Sequence, residues 1–134
     1  MINYSDYIGL QYKCRGRGPK YYDCYGLCIK VYKEILSIDL PSHLEVDYSD
    51  RWYEEGKNCI LDTAKANWDY IKEPFKKYDL IVLFNGTELY PNHVALWLNE
   101  KILHIYENNT SRIDRYRGFW ESKFYCALRW KNNG

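Results

Sequence analysis

The sequence has no apolar run near the ~20 residues that a membrane-spanning helix needs, which excludes an integral helical membrane protein. It has no block of Lys or Arg, and its net charge is only +1. No strong field therefore draws it to nucleic acid or to an anionic membrane surface. The first residues, Met1-Ile2-Asn3-Tyr4-Ser5-Asp6-Tyr7, carry neither a basic segment nor an apolar core of the secretory type. The expectation is synthesis in a cytoplasm without a leader, with reduced thiols. Zinc is the competing use for five cysteines, but Cys14, Cys24 and Cys28 form no C-x2-C pair. Neither a metal nor an organic cofactor is expected. No internal repeat, linker or low-complexity tract interrupts residues 1–134, so the chain reads as a single domain.

What is present is a globular composition with 46% hydrophobic residues, including 15 Tyr and 5 Trp. Tyr and Trp fill cores and also line sites for sugars or peptides, and composition does not separate the two uses.

The chain is organised around Tyr22-Asp23-Cys24-Tyr25-Gly26-Leu27. Cys24, Leu27, Cys28, Val31 and Ile35 keep the spacing of one helix face, predicting a helix over residues 23–36. Residues 11–22 before it, with Arg15-Gly16-Arg17-Gly18-Pro19 at their centre, read as loop, and Asp23 is a good N-cap. Cys24 then stands in the first helical turn, where free N–H groups and the helix dipole favour a thiolate, the nucleophilic form. The plainer reading is a small core hydrophobe, the usual fate of cysteine.

Residues 3–10 suggest a short helix, and residues 51–68 a second one, from the spacing of Ile60, Leu61, Ala64 and Trp68. Asp79-Leu80-Ile81-Val82-Leu83-Phe84 reads as a buried strand. Val94–Leu98 and Lys101–Tyr106 flank Asn99-Glu100 at two-residue hairpin spacing. A short strand near Ile113 and a last one at Phe124–Trp130 follow. Helices first and an antiparallel meander after them make an α+β domain, with helices packed on one face of the sheet.

Only three histidines occur, and two fall on the hairpin. A two-residue loop pairs Leu98 with Lys101 and Ala95 with His104. His93 and His104 then share a face on a diagonal of roughly 7 Å. A one-residue slip would put them on opposite faces. One imidazole can serve as base toward a thiol while the other holds its tautomer. Taken singly, each also suits a hydrogen bond at a sheet edge.

The order Cys24, His93, His104, with its surroundings, resembles the NlpC/P60 family of papain-like cysteine peptidases. Asp23-Cys24-Tyr25-Gly26-Leu27 is similar to the family's nucleophile motif at a helix start. Ile8-Gly9-Leu10-Gln11-Tyr12 resembles its upstream Tyr-containing segment, and Tyr78-Asp79-Leu80-Ile81-Val82-Leu83-Phe84 its Gly-Asp-Leu strand. Asn92-His93-Val94-Ala95-Leu96-Trp97-Leu98 resembles its histidine strand, and Leu103-His104 the strand carrying the third polar residue. The resemblance implies Cys24 as nucleophile, His93 as base and acid, and His104 as orienter. It implies Tyr12, Asp23 and Tyr25 as substrate-cleft residues. It also implies peptidoglycan stem peptides as substrate, cut between γ-D-glutamate and a diamino acid. The chain departs from the family pattern at Tyr25, where Ser is common, in the loop Arg15-Gly16-Arg17-Gly18, and at Tyr78, where Gly is usual. An aromatic at position 25 resembles the bacteriophage tail-associated branch, which implies phage tail proteins as partners and a place on the virion tail. Two other readings keep the same residues: a non-catalytic tail or assembly protein, and a thiol amidase or acyltransferase.

Overall fold

The computed structural model describes residues 3–43, 67–86 and 91–131. A short 3-10 turn, Ser5–Tyr7, leads into two parallel two-residue strands, β1 (Gln11–Tyr12) and β2 (Tyr21–Tyr22), inside the stretch expected to be loop. Tyr12, Tyr21 and Tyr22 are good strand formers, and Tyr12 pairs with Tyr22. Helix α1 covers Cys24–Val31. Its N-cap is Asp23, whose Oδ1 accepts the Gly26 N–H at 2.7 Å. Leu27, Cys28 and Val31 are buried along its inner face. Tyr32–Leu36 continues it as one wide turn of π-helix, closed by Ser37 in the left-handed region at φ 57°. That closure stops the helix.

Gly26 has a steric reason. The carbonyl oxygen of Gly16, which accepts the Asp23 N–H at 3.2 Å, lies where a Cβ on Gly26 would stand. The glycine lets the preceding loop lie directly on the first turn of α1, beside Cys24.

Six strands form one antiparallel sheet in the order β3-β8-β4-β5-β6-β7. They are β3 (Trp68–Ile71), β4 (Leu80–Leu83), β5 (His93–Trp97), β6 (Lys101–His104), β7 (Arg112–Arg115) and β8 (Phe124–Trp130). This departs from a plain meander, because β8 inserts between β3 and β4. The helix expected over residues 51–68 lies outside the described residues except at its end, where Trp68 opens a strand instead. Trp68 pairs with Trp130, and its ring packs edge-on against Trp130 and Tyr32, at centroid distances of 5.2 and 5.7 Å. Burial between two aromatics overrides local helical spacing there.

Leu80, Val82, Val94, Leu96, Leu103 and Leu128 pack against α1, while Ile81, Leu83, Ala95, Trp97, Ile102 and Ala127 face Tyr116 and Trp120. Tyr78 takes a left-handed backbone, φ 74°, in the place where the resemblance has glycine. That costs about 1–2 kcal/mol for a residue with a Cβ. Its hydroxyl hydrogen-bonds Tyr4 at 2.9 Å, and its carbonyl accepts the Tyr32 hydroxyl at 2.7 Å, tying the sheet to the helical layer.

Candidate active site

The β5–β6 hairpin sets the site. Asn99 and Glu100 both sit at positive φ, 65° and 68°, which suits a two-residue turn that follows the strand twist. The register runs Trp97↔Ile102 and Leu96↔Leu103. It therefore brings His93 and His104 onto one face along a diagonal, as the hairpin spacing predicts. Their rings meet: His93 Nε2 lies 2.8 Å from His104 Nδ1. Both are buried, 2% and 1% exposed. Trp120 covers them, edge-on to His104 at 4.8 Å and 5.7 Å from His93.

Cys24 arrives from the other layer. The start of α1 packs on β5 and the Val94 N–H faces the sulfur. The thiol thus lies beside the residue that follows His93, and it makes no direct hydrogen bond to the imidazole. The first intrahelical bond runs from Leu27 N–H to the Asp23 carbonyl, so the Cys24 and Tyr25 amides precede the helical ladder and point toward its open end.

The expectation that the helix start would ease ionisation of the thiol is reversed. Burial pushes the Cys24 thiol up to about 12, and the Asp23 charge adds to the rise. The Val94 and Tyr25 amides and Arg17 oppose it without prevailing. Burial, and repulsion from His104 whenever both rings would be protonated, hold His93 well below the usual histidine range. Burial lowers His104 as well, against the opposing pull of Asp114. The resting state is therefore neutral thiol and neutral imidazole, so the proton moves as the sulfur attacks. Alkylation of Cys24 by iodoacetamide should rise about tenfold per pH unit between pH 7 and 10. A plateau already reached at pH 7, followed by mass spectrometry of the Cys24 peptide, would show a thiolate–imidazolium pair instead.

The three expected cleft residues take different places. Tyr12 sits half-buried on β1, paired to β2 immediately before the Asp23 cap. Tyr25 is pinned on three sides: its hydroxyl donates to the Pro41 carbonyl at 2.8 Å, His43 stacks 5.4 Å away, and the Arg17 guanidinium lies 5.4 Å over the ring. Asp23 is not an open carboxylate. Oδ1 accepts from Gly26 and from Arg17 at 2.8 Å, and Oδ2 accepts the Arg15 N–H at 3.2 Å. Arg17 also reaches the Ser42 carbonyl, so one guanidinium joins the cap to the strap at residues 41–43.

Sequence reasoning missed Asp114. Its Oδ2 lies 2.7 Å from His104 Nε2, and its Oδ1 accepts Arg112 Nε at 2.9 Å. The signal was the short strand expected near Ile113. His104 pairs with Arg112, which puts Asp114 on the same face two residues along.

Comparison with known proteins agrees with this architecture. The NlpC/p60 domain of the peptidoglycan hydrolase SagA superposes with a TM-score of 0.60 at 18% identity, over 92% of this chain and 90% of that one. A lipoprotein-like NLP/P60 protein from Staphylococcus aureus subsp. aureus Mu50 gives 0.63 at 22% identity, over 96% and 39%. An NlpC/P60 protein from Bacillus cereus ATCC 10987 gives 0.63 at 19%, over 92% and 36%. The chain thus spans well under half the length of the last two. No curated protein sequence matches. These identities speak to the fold, and the NlpC/P60 family model matches residues 9–129, nearly the whole length: the chain belongs to the NlpC/P60 family.

Proposed function

We propose that this protein is a cysteine endopeptidase that hydrolyses peptidoglycan stem peptides. Cys24 is the nucleophile, His93 the base and then the acid, and His104 the orienter. The observation that carries the reading is the 2.8 Å His93–His104 contact on the strand against which the Cys24 end of α1 packs. His93 Nε2 is engaged with His104, so Nδ1 is the nitrogen left for the thiol proton. The sulfur attacks the scissile carbonyl, and the Cys24 amide at the helix start stabilises the oxyanion. His93 then protonates the leaving amine and activates water to release the acyl group. The likeness to a domain of a peptidoglycan hydrolase supports the substrate class.

Tyr12 and Tyr25 line the cleft on the loop side, and Asp23 acts at its edge by holding Arg17. A substrate amine seeking Asp23 would have to displace that guanidinium. We place the cut at a γ-D-glutamyl–diamino acid bond within stem peptides still attached to glycan, where no free amino end is required. The aromatic Tyr25 supports the phage tail-associated branch, hence delivery on a virion tail. The test is digestion of purified sacculi followed by mass spectrometry of the released fragments. New amino groups on diamino acids, matched by new γ-D-glutamyl carboxylates, are expected. Fragments ending in an ester or a transferred acyl group would point to an acyltransferase, and no release at all to a non-catalytic tail protein.

A further inference from the structure

His104 is the third member of the proposed triad, yet its second ring nitrogen is also engaged. Nε2 faces Asp114 Oδ2 at 2.7 Å, while Arg112 holds the other carboxylate oxygen. His104 is fully enclosed, whereas the Asp114 side chain is 18% exposed, so the contact runs from the interior toward the edge strand β7. Burial pushes the Asp114 carboxyl up, but hydrogen bonds from His104 and Arg112 outweigh it and hold the group below the usual range. It is therefore an anion, and an anionic carboxylate only accepts hydrogen bonds.

The proton positions follow. His104 must carry its hydrogen on Nε2, so neutral His104 presents a lone pair at Nδ1. His93 Nε2, 2.8 Å from that lone pair, must donate, so neutral His93 keeps a lone pair at Nδ1. The opposite arrangement would keep the contact between the two histidines. It would, however, put a hydrogen on His93 Nδ1, and the base would be lost. Nothing in the histidine pair itself chooses between the two. We propose that Asp114 makes the choice: it is the terminal positioning residue of the chain Asp114–His104–His93, and it fixes both imidazoles with hydrogen on Nε2. This rests on the catalytic reading above. When His93 takes the thiol proton at Nδ1 it becomes imidazolium. The Nε2–H bond to His104 is retained, and the Asp114 charge stabilises the cation through it. Trp120 keeps water off the pair, which strengthens each link.

The closing experiment reads the tautomers directly, without substrate, so that it stands whatever bond the enzyme cuts. Long-range proton–nitrogen spectra of histidine-labelled protein at pH 8 should show hydrogen on Nε2 of both His93 and His104. Asp114→Ala should give a mixture or the reversed pair. On sacculi, kcat should fall about 100-fold in Asp114→Asn, the low end for losing an acid–base arrangement, with KM little changed. Formate should partly restore Asp114→Ala. The acid limb of kcat/KM should move to lower pH in Asp114→Ala, because the lost carboxylate favoured the protonated pair. The other groups bearing on that pair, Arg112 and Tyr106, are unchanged. Arg115→Ala, on the same strand and exposed, should leave tautomers and rate as they were. Hydrogen remaining on Nε2 of both rings in Asp114→Ala would overturn the proposal, and would do so even if no wall substrate is ever cleaved. A rate loss in Asp114→Asn that merely tracks the fall in folded fraction by circular dichroism would overturn it too.

Discussion

Under the proposed mechanism, Cys24→Ala and His93→Ala should each bring hydrolysis of sacculi down by about 10⁴-fold or more, and the double variant should be no worse than either. The reason is that neither residue has a separate task. The thiol is held up at about 12 by burial, so at neutral pH it is inert until a base removes its proton. His93, held well below the usual histidine range, is unprotonated at the same pH and so able to take that proton. Removing one leaves the other idle, which makes the losses non-additive. Cys24→Ser fails almost as completely, because a hydroxyl is harder still to deprotonate and a weakly basic imidazole gains nothing from it. His104→Ala should lose less, about 10²–10³-fold, since His93 persists with a disordered tautomer. Rates are measured as amino groups released per folded molecule. Retention of a tenth of the wild-type rate by Cys24→Ala would remove the nucleophile assignment. Equal multiplication of the two single losses in the double variant would show that the residues act independently.

What could be read from the sequence, and what could not, follows the range of the interactions. The β5–β6 register was legible because it depends on a two-residue turn and an alternating pattern, both local. The start of α1 was legible because Asp23, a good cap, stands between a glycine-rich loop and the first residue of a helical apolar spacing. β4 and β8 were legible as short apolar runs. The position of β8 between β3 and β4 was not, since spatial order in a sheet is set by which faces need covering. Asp114 was hidden because seven residues separate β6 from β7, and a loop of that length fixes no register. The thiol gave the clearest reversal. Its place at a helix start was readable, but its acidity depends on how much protein surrounds it, which is a property of the packed core.

Asp79→Ala should cost about 3 kcal/mol of stability, the lower end for breaking a buried ion pair because Arg129 keeps some access to water. Asp79 is 1% exposed and immediately precedes β4. Its Oδ1 accepts Arg129 Nε at 2.9 Å, its Oδ2 accepts the second guanidinium nitrogen at 2.7 Å, and Oδ2 also accepts the Lys76 N–H at 2.6 Å. Alanine strands both donors at once: a guanidinium on β8 without its counter-ion and a turn amide without an acceptor. Asp79→Asn keeps one acceptor for Lys76 and should lose about half as much. The double variant Asp79→Leu with Arg129→Met should recover most of the loss, because two apolar side chains do not carry the desolvation cost of two charges. For a domain of this size, 3 kcal/mol corresponds to a fall in Tm of roughly 10 °C. The active site gives the control. Asp79 lies at the Trp97 end of β5, where its carbonyl accepts the Trp97 N–H at 2.9 Å, and His93 lies at the other end. Four residues of strand, about 13 Å, separate the two ends. Below its melting transition, Asp79→Ala should therefore cleave sacculi within about twofold of the wild-type rate. A stability change under 1 kcal/mol by urea titration would show that the Asp79–Arg129 pair contributes nothing to the fold. A rate loss of 100-fold in fully folded Asp79→Ala would place this carboxylate in the chemistry rather than in the frame that carries it.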